Sequence, residues 1–464
     1  MELDLNKLNV LKKIVEDSRK AQQQLVEITN AEVNNLILGI SSKILTEKNN
    51  KHLSSLAVKE TKFGNIQDKM KKNLYKTTNL LNELVNIPTL KPIHDKKTNI
   101  STIIKPIGVI CGVTPSTNPI ATSLNYIINS IKCRNSIILC PNPRSYNTVN
   151  ELVELVKLVF KEKKFSEKIV QISPKDILRS ELLINLFDLC DKNVVTGSQV
   201  AISKVKKSIK PFLVFGTGNV PVIIDDKIDI NKTTTSIMES KSFDHSTSCS
   251  SDSVLIINKK IYKKFLLQFS KVGAYVLNKK EKKDFDNIYF KKGVINTEII
   301  AKKPSKILQL IGINNNEAKV IVYEITSSEN KHYILDEKIL PVIAAVRSPD
   351  FNTSINFANS VLVINGKGHS AGIYSKNKKN ILEFASKIPV SRIIVNQPHS
   401  KSAGGGENNS LNTTLSLGCG AWGNNNLNSN LSYKEFCNES KIVFKKKRKF
   451  KDLNKLILIN KLIK

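Results

Sequence analysis

Apolar positions along this chain follow two periods, and each predicts its own elements. Near the start, Thr29 and Glu32 have the spacing of a capping box, with Val33, Leu36, Ile37 and Ile40 behind them on one helical stripe, so an amphipathic helix begins here. From residue 105 the pattern changes. The stretch KPIGVICGVTPSTNP (105–119) is an apolar run ending in a turn rich in Pro and Thr, and SIILCPNPR (136–144) repeats that design. Val149, Leu152, Val153, Val156, Val159 and Phe160 then mark the buried face of a helix. KIVQIS (168–173), a helical stretch near 176–189, NVVTGS (193–198), a short helix and PFLVFGTGN (211–219) continue the alternation. Apolar strands without polar alternation, separated by helices, predict a parallel sheet covered on both faces. A second set consists of SVLIIN (253–258), KVIVYEI (319–325), PVIAAV (341–346), AGIYS (371–375) and RIIVN (392–396), with helices near 260–272 and 377–388. It predicts a second α/β unit.

Composition narrows the picture. At 464 residues with 40% hydrophobic content the chain exceeds one core, so two or three domains are expected. A net charge of +32 invites a nucleic-acid-binding hypothesis. The lysines, however, are scattered through surface-type positions beside abundant Asn and Ile, which reads as compositional bias and argues against a specific nucleic-acid partner. The densest basic run, KKKRKFKDLNKLILINKLIK (445–464), reads as a solvated amphipathic tail, with an acidic partner or lipid headgroups as the other reading. NNNLNSNLS (424–432) reads as a surface loop. The seven cysteines are an odd number, scattered and without a CxxC pair, which predicts a reducing cytoplasm. His245 and Cys249 could share a helix face but lack a second ligand pair, so no metal is expected. The first residues lack an apolar export segment, and about eighteen apolar residues never run together, so neither export nor a membrane span is expected.

Candidate chemistry begins with Cys249 in KSFDHSTSCSSDSV (241–254), where small and hydroxyl residues surround the thiol. A turn dense in backbone N–H groups is expected to lower a thiol's pKa and to hold an oxyanion. FGTGNVP (215–221) offers G-x-G but has proline where a dinucleotide fingerprint needs its third glycine, so it reads as a tight turn. TGS (196–198) follows a strand and precedes a helix, a place where free N–H groups meet a pyrophosphate. Asn118 in PSTNP (115–119) is a candidate oxyanion donor or the pivot of an Asx-turn. Glu337 in DEKILPV (336–342) is a ribose acceptor or a solvated carboxylate, and His369 in NGKGHSAG (365–372) an acid/base group or a loop histidine.

Each signal alone is weak, but their order resembles the CoA-acylating branch of the aldehyde dehydrogenase superfamily. KPIGVICGVTPSTNPIATSLNYIINSIKCRNSIILCPNPRS (105–145), VVTGS, FGTGNVPVIID, KSFDHSTSCSSDSV, LDEKILPV, GKGHSAGIYSKN, RIIVNQPHS and LSLGCGAWGNN occur in that family's order. Within the branch, FGNIQDKMKKN (63–73), PSTNP and the VNQPHS stretch through Gly405 are most similar to acylating sulfoacetaldehyde dehydrogenases. Enzymes of acetaldehyde or propionaldehyde are the nearest competitors.

The resemblance implies an α/β fold with two Rossmann-type parallel-sheet domains and a small oligomerisation arm. Residues 1–225 would form the cofactor domain, with an N-terminal helical part and part of the arm near 92–106. Residues 226–415 would form the thiol domain, 416–446 would return to the cofactor domain and arm, and 447–464 would be a basic tail. Cys249 matches the nucleophile, Asn118 with the Cys249 N–H the oxyanion hole, and His369 a histidine near the thiol-exchange site. Thr196, Gly197 and Ser198 match the pyrophosphate and nicotinamide side of an NAD or NADP site. Thr114, Pro115, Gly216 and Gly218 belong to the same cofactor set, Glu337 matches the ribose glutamate, and Pro141, Asn142 and Arg144 sit where relatives hold the adenosine ribose, Arg144 favouring a 2′-phosphate. Hydrolytic relatives carry a water-activating glutamate where this chain has Thr217, Gly218 and Asn219, so the resemblance implies that CoA, not water, resolves the acyl-enzyme. For a sulfonate on the substrate, Lys241, His245, His399 and Gly404 to Gly406 are the candidates. The partners implied are a small aldehyde, CoA and a homodimer or homotetramer. Glutamyl-phosphate reductase chemistry is the second enzymatic reading. The sequence ENN (407–409) and the tail depart from the family pattern.

Overall fold

A computed structural model of the chain describes residues 2–89, 91–197, 199–291, 294–325, 332–406 and 409–446. Ser198, two residues of the ENN departure and the basic tail at 447–464 therefore lie outside the described residues. The expected amphipathic helix is Asn30–Leu45. Thr29 accepts from the Glu32 N–H at 3.2 Å, and Glu32 accepts from the Thr29 N–H at 2.7 Å, a closed capping box.

Five parallel strands make the first sheet, in the order Val170–Ile172, Ser136–Pro141, Val109–Thr114, Lys192–Thr196, Phe212–Phe215. Their continuous apolar runs serve two cores at once. Ile110, Ile137, Leu139 and Val194 pack with the helices Asn30–Leu45 and Tyr146–Glu162, while Val109, Cys111, Ile138, Cys140 and Val195 pack with Leu11, Leu186 and Phe187 on the other face. Seven parallel strands make the second sheet, in the order Ala274–Val276, Val320–Ile325, Val342–Ser348, Asp252–Asn258, Val220–Ile224, Ala371–Tyr374, Ile393–Val395. It too is buried on both faces, with Val254 and Ile256 on one and Leu255 and Ile257 on the other.

The strand Val220–Ile224 was legible only as part of a turn motif. Pro221 removes a ladder donor, and the register slips between Val220 and Pro221, which is how a central strand tolerates proline. The chain thus leaves the first sheet at Phe215 and joins the second at Val220, earlier than the expected boundary at 225. Ile93–Asp95, Ile100–Pro106 and Cys437–Val443 form a separate antiparallel sheet at the expected arm. Ile93, Ile442, Val443 and Phe444 stand exposed on or beside it. Among the described residues no helix is long and apolar enough to cross a membrane.

Two features of this layout position the site. In the first sheet the strand order runs outward in both directions from Val109–Thr114, which opens a crevice at the carboxyl ends of the strands. The buried apolar residues of the helix Ile66–Leu84, Leu80, Leu81 and Leu84, all lie in its second half. Ahead of them it buries Lys69, Lys72, Asn73 and Lys76.

Candidate active site

The thiol loop is reached through strained backbone. After the helix Ile230–Ser242, Asp244, His245 and Ser246 adopt φ values of 49°, 50° and 61°, three left-handed residues in succession. Each costs roughly 1–2 kcal/mol for a non-glycine residue, so the turn must be held from outside. Its holder is the Asp244 carboxylate, which accepts from the Asn65 N–H at 2.9 Å, Lys69 Nζ at 3.0 Å, Lys72 Nζ at 2.7 Å and the Thr247 hydroxyl at 2.7 Å. Burial alone would raise its pKa, but Lys72 and Lys69 hold it down to about 2. Gly64 lets the segment come this close: a Cβ there would lie 1.8 Å from Asp244 Oδ1.

Lys72 carries the clamp on to the next functional group. Its ammonium donates to Asn118 Oδ1 at 2.6 Å and to the Thr247 hydroxyl at 3.1 Å. An ammonium only donates, so Asn118 must present its oxygen to Lys72, and the NH₂ end faces away from it. Asn118 stands at the N-cap of the helix Pro119–Lys132 yet makes no side-chain cap bond; its NH₂ makes a long contact, 3.4 Å, with the Thr117 hydroxyl, which leaves its second N–H.

Cys249 is half-buried, with His369 Nε2 at 3.3 Å from its Sγ. His369 Nδ1 lies 2.8 Å from the Ser370 hydroxyl, which in turn lies 2.9 Å from His399 Nε2. Burial, with Arg392 and His399 nearby, depresses the His369 pKa well below the usual imidazole value, and burial takes His399 down to about 3, so both rings are neutral. For His369 Nε2 to accept the thiol proton, Nδ1–H must donate to Ser370 and the Ser370 hydroxyl to His399, so the relay sets the tautomer.

The expectation of an acidified thiol is not met. Burial, then the charges of Glu337 and Cys419, push Cys249 up to about 12, against the pull of Arg392 and its own N–H. The turn supplies backbone dipoles, but desolvation outweighs them, so the resting group is a thiol that needs His369 as its base. Glu337 is buried too and raised to about 8, and it accepts from the Gly218 N–H at 3.1 Å. It is therefore mostly a protonated carboxyl at neutral pH. The segment Phe212–Ile224 passing beneath Cys249 holds no carboxylate of its own. A Cβ on Gly218 would meet the Cys249 carbonyl oxygen at 2.1 Å and His369 Cε1 at 3.0 Å.

The residues expected around a cofactor fall in three places. Thr114, Pro141, Asn142, Arg144 and Gly197 line a cavity of about 410 Å³ at the carboxyl ends of the first sheet's strands, the crevice where an open parallel sheet takes a nucleotide. Gly216 lines a smaller cavity of about 230 Å³ with Thr217, Asn365 and Cys419. Gly218 and Glu337 sit against the thiol loop. Two expectations are not supported by placement. The Thr196 hydroxyl turns to Tyr126 at 2.6 Å and Ser416 at 2.7 Å, an internal network, and Pro115 lines none of these cavities.

A further cavity, of about 300 Å³, opens beside Ser248 and is lined by Lys72, Tyr75, Lys76, Phe243, Ser400 and Lys401 among others. Of the residues expected to receive a sulfonate, Lys241 is buried near Asp252, His245 lies in the left-handed turn and His399 in the relay. Only the glycine run reaches this cavity, through Lys76, whose ammonium donates to the carbonyls of Gly404 and Gly405 at 2.9 Å each. Lys69, Lys72, Lys76 and Asp244 were not singled out from the sequence. The signal was present as lysines at i, i+3 and i+7 in one helix, a periodicity ordinarily read as a solvated face.

With this geometry in view, comparison with known proteins is informative. The family model described as the aldehyde dehydrogenase family matches residues 5–416. A sulfoacetaldehyde dehydrogenase (acylating) of Cupriavidus necator is 31% identical over 433 residues, covering 92% of this chain and 88% of the relative. A succinate-semialdehyde dehydrogenase (acetylating) of Clostridium kluyveri is 32% identical over 435 residues, covering 93% and 95%. The crystal structure of an acetylating aldehyde dehydrogenase from Geobacillus thermoglucosidasius superposes with a TM-score of 0.90 at 27% identity, covering 97% of this chain and 99% of that one.

Proposed function

Because the chain belongs to the aldehyde dehydrogenase family, we propose that it is a CoA-acylating dehydrogenase that oxidises sulfoacetaldehyde to sulfoacetyl-CoA. The observation that carries acylation is the carboxylate-free segment Phe212–Ile224 lying against Cys249, with the protonated Glu337 as its neighbouring carboxyl. That segment offers no carboxylate to activate water. The His369 imidazole takes the thiol proton and Cys249 adds to the aldehyde carbon. The oxyanion that forms is held by the Asn118 NH₂, fixed in direction by Lys72, and by the Cys249 N–H. Thr114, Pro141, Asn142, Arg144 and Gly197 would hold the adenosine half of NAD(P), whose nicotinamide would supply the acceptor for the hydride of that carbon. The acyl group then sits on Cys249 as a thioester. His369 releases to solvent the proton it took from Cys249, the one net proton of the oxidation. CoA thiol then gives its proton to His369 as its sulfur takes the acyl group, and the departing Cys249 thiolate recovers that proton from His369 to return to its resting form.

Sulfoacetaldehyde is favoured by the lysine-lined cavity beside Ser248, and two of the relatives act, by their names, on aldehydes that carry an anionic group. Arg144 at the rim of the strand-end cavity favours NADP over NAD. The exposed apolar edge of the three-stranded arm favours a homodimer or homotetramer, and seven unbridged cysteines favour the cytoplasm.

An aldehyde panel run with NAD+ and NADP+, with and without CoA, tests this. Reduced nicotinamide should form only when CoA is present, with the highest kcat/KM on sulfoacetaldehyde, and Cys249→Ser should lower the rate by at least about 10³-fold. Equal rates without CoA would overturn acylation, and a preference for acetaldehyde or propionaldehyde would overturn the substrate.

A further inference from the structure

Within the lysine-lined cavity the cations are not equivalent. Lys71 is exposed and so already solvated, Lys72 is neutralised by Asp244, and Lys401 is paired with Glu239, which also lines the cavity. Lys76 is 8% exposed and, among the described residues, has no carboxylate within ion-pair distance. Its hydrogen-bond partners are the two carbonyls of the glycine run, and its ammonium also lies 5.5 Å from the centre of the Tyr75 ring in the same cavity; an ammonium has three N–H donors, so one is left by the carbonyls for the cavity that Lys76 lines. A buried cation with only neutral partners is costly unless an anion arrives to balance it. Burial, reinforced by Lys72 and only partly offset by the more distant Glu83 carboxylate, lowers its pKa to about 7, the direction expected of a cation short of counter-charge.

Position adds to this. Lys72 and Lys76 lie four residues apart on the helix Ile66–Leu84, hence on one face and about one turn, ~6 Å of rise, apart. Lys72 holds the oxygen side of the Asn118 amide, and the NH₂ that would receive the oxyanion is the other end of that same small group. A short aldehyde bound with its carbonyl oxygen at Asn118 and its chain directed along the helix would bring an anionic group one or two carbons further on to Lys76.

We propose that Lys76 is the anion anchor of the aldehyde pocket, receiving the sulfonate or carboxylate of a short anionic aldehyde through the donor that the Gly404 and Gly405 carbonyls leave free. The inference rests on the reading of the pocket as one for anionic aldehydes, and names the residue that confers it.

The test compares sulfoacetaldehyde with acetaldehyde in wild type and Lys76→Met, which keeps the side chain's length and removes its charge. The ratio of kcat/KM for sulfoacetaldehyde over acetaldehyde should fall about 10- to 100-fold in the variant, chiefly through KM, as expected for losing a hydrogen bond to a charged group. An equal loss on both aldehydes would make Lys76 a staple of the glycine loop and overturn the anchor, and so would a change confined to the KM for CoA. If the wild type prefers acetaldehyde, the substrate reading fails at the first step, before the variant is consulted. Should Lys76→Met not fold, wild-type protein answers instead. Ethanesulfonate should slow iodoacetamide alkylation of Cys249, and ethanol at equal concentration should not; equal effects of the two would overturn the anchor.

Discussion

The cavity at the strand ends of the first sheet and the lysine-lined cavity beside Ser248 differ in what holds them open. The first is framed by the ends of the strands Val109–Thr114 and Ser136–Pro141, whose apolar side chains are sealed into two cores. Its charged lining residues, Arg144, Arg179 and Lys204, form no buried ion cluster: Arg144 and Arg179 are exposed, and the Lys204 ammonium is held by the carbonyls of Arg179 and Ser180. The second is framed by a helix that buries lysines, and its shape depends on one carboxylate, Asp244, balancing Lys69 and Lys72 while pinning three left-handed residues. Hydrophobic burial builds a site that tolerates change at its edges. An ion cluster builds one whose parts fail together, because each member's desolvation is offset only by the others.

Substitutions sharpen that contrast. The largest effect is expected at Asp244→Asn, which leaves Lys69 and Lys72 buried without a counter-charge and frees the left-handed turn. It should cost about 3–5 kcal/mol of stability by denaturant unfolding. The same carboxylate predicts a pH signature. Its folded pKa of about 2 lies below the unfolded value, so its contribution is complete above pH ~4 and fades as the pH falls through about 2, and the variant should lack that acid-side decline. A smaller effect is expected at Asn118→Ala, which removes the amide that Lys72 orients. kcat should fall about 10²- to 10³-fold, with the unfolding midpoint little moved. The smallest belongs to the strand-end cavity. Arg144→Ala should shift the NADP-to-NAD ratio of kcat/KM by roughly tenfold and leave stability within about 0.5 kcal/mol. If Arg144→Ala proved as destabilising as Asp244→Asn, the contrast between the two cavities would collapse.

The same division decides how much could be read from the chain. Strands such as Ser136–Pro141 and Val342–Ser348 were legible because burial on both faces leaves an uninterrupted apolar run. Val220–Ile224 was hidden by Pro221 and the glycines before it, since a bulge that rescues a proline leaves no mark in a linear pattern. In the site, Cys249, His369 and Asn118 could be named from motif order. The acidity expected of Cys249 could not be corrected without seeing how deeply the loop sinks and that Glu337 lies beside it. Thr196 is expected at a cofactor from the free N–H groups of its turn and from motif order; that its hydroxyl is held by Tyr126 and Ser416, partners far away in the chain, could not be read from the turn. The lysines of the helix Ile66–Leu84 illustrate the deepest gap. Their spacing is visible, but whether a polar stripe faces water or a buried carboxylate is decided by the tertiary partner.

Gly218 carries a consequence for the history open to this enzyme. For some glycine codons a glutamate is one base change away, and an acidic side chain under the reactive sulfur would offer the acyl group to water. That mutational step is blocked, because the volume a β-carbon would need is already filled by the Cys249 carbonyl and the His369 ring. A lineage with this loop cannot drift from thioester exchange to acid release by a change at that position alone. It would first have to move the backbone that bears its own nucleophile, and so pass through forms in which the nucleophile is misplaced.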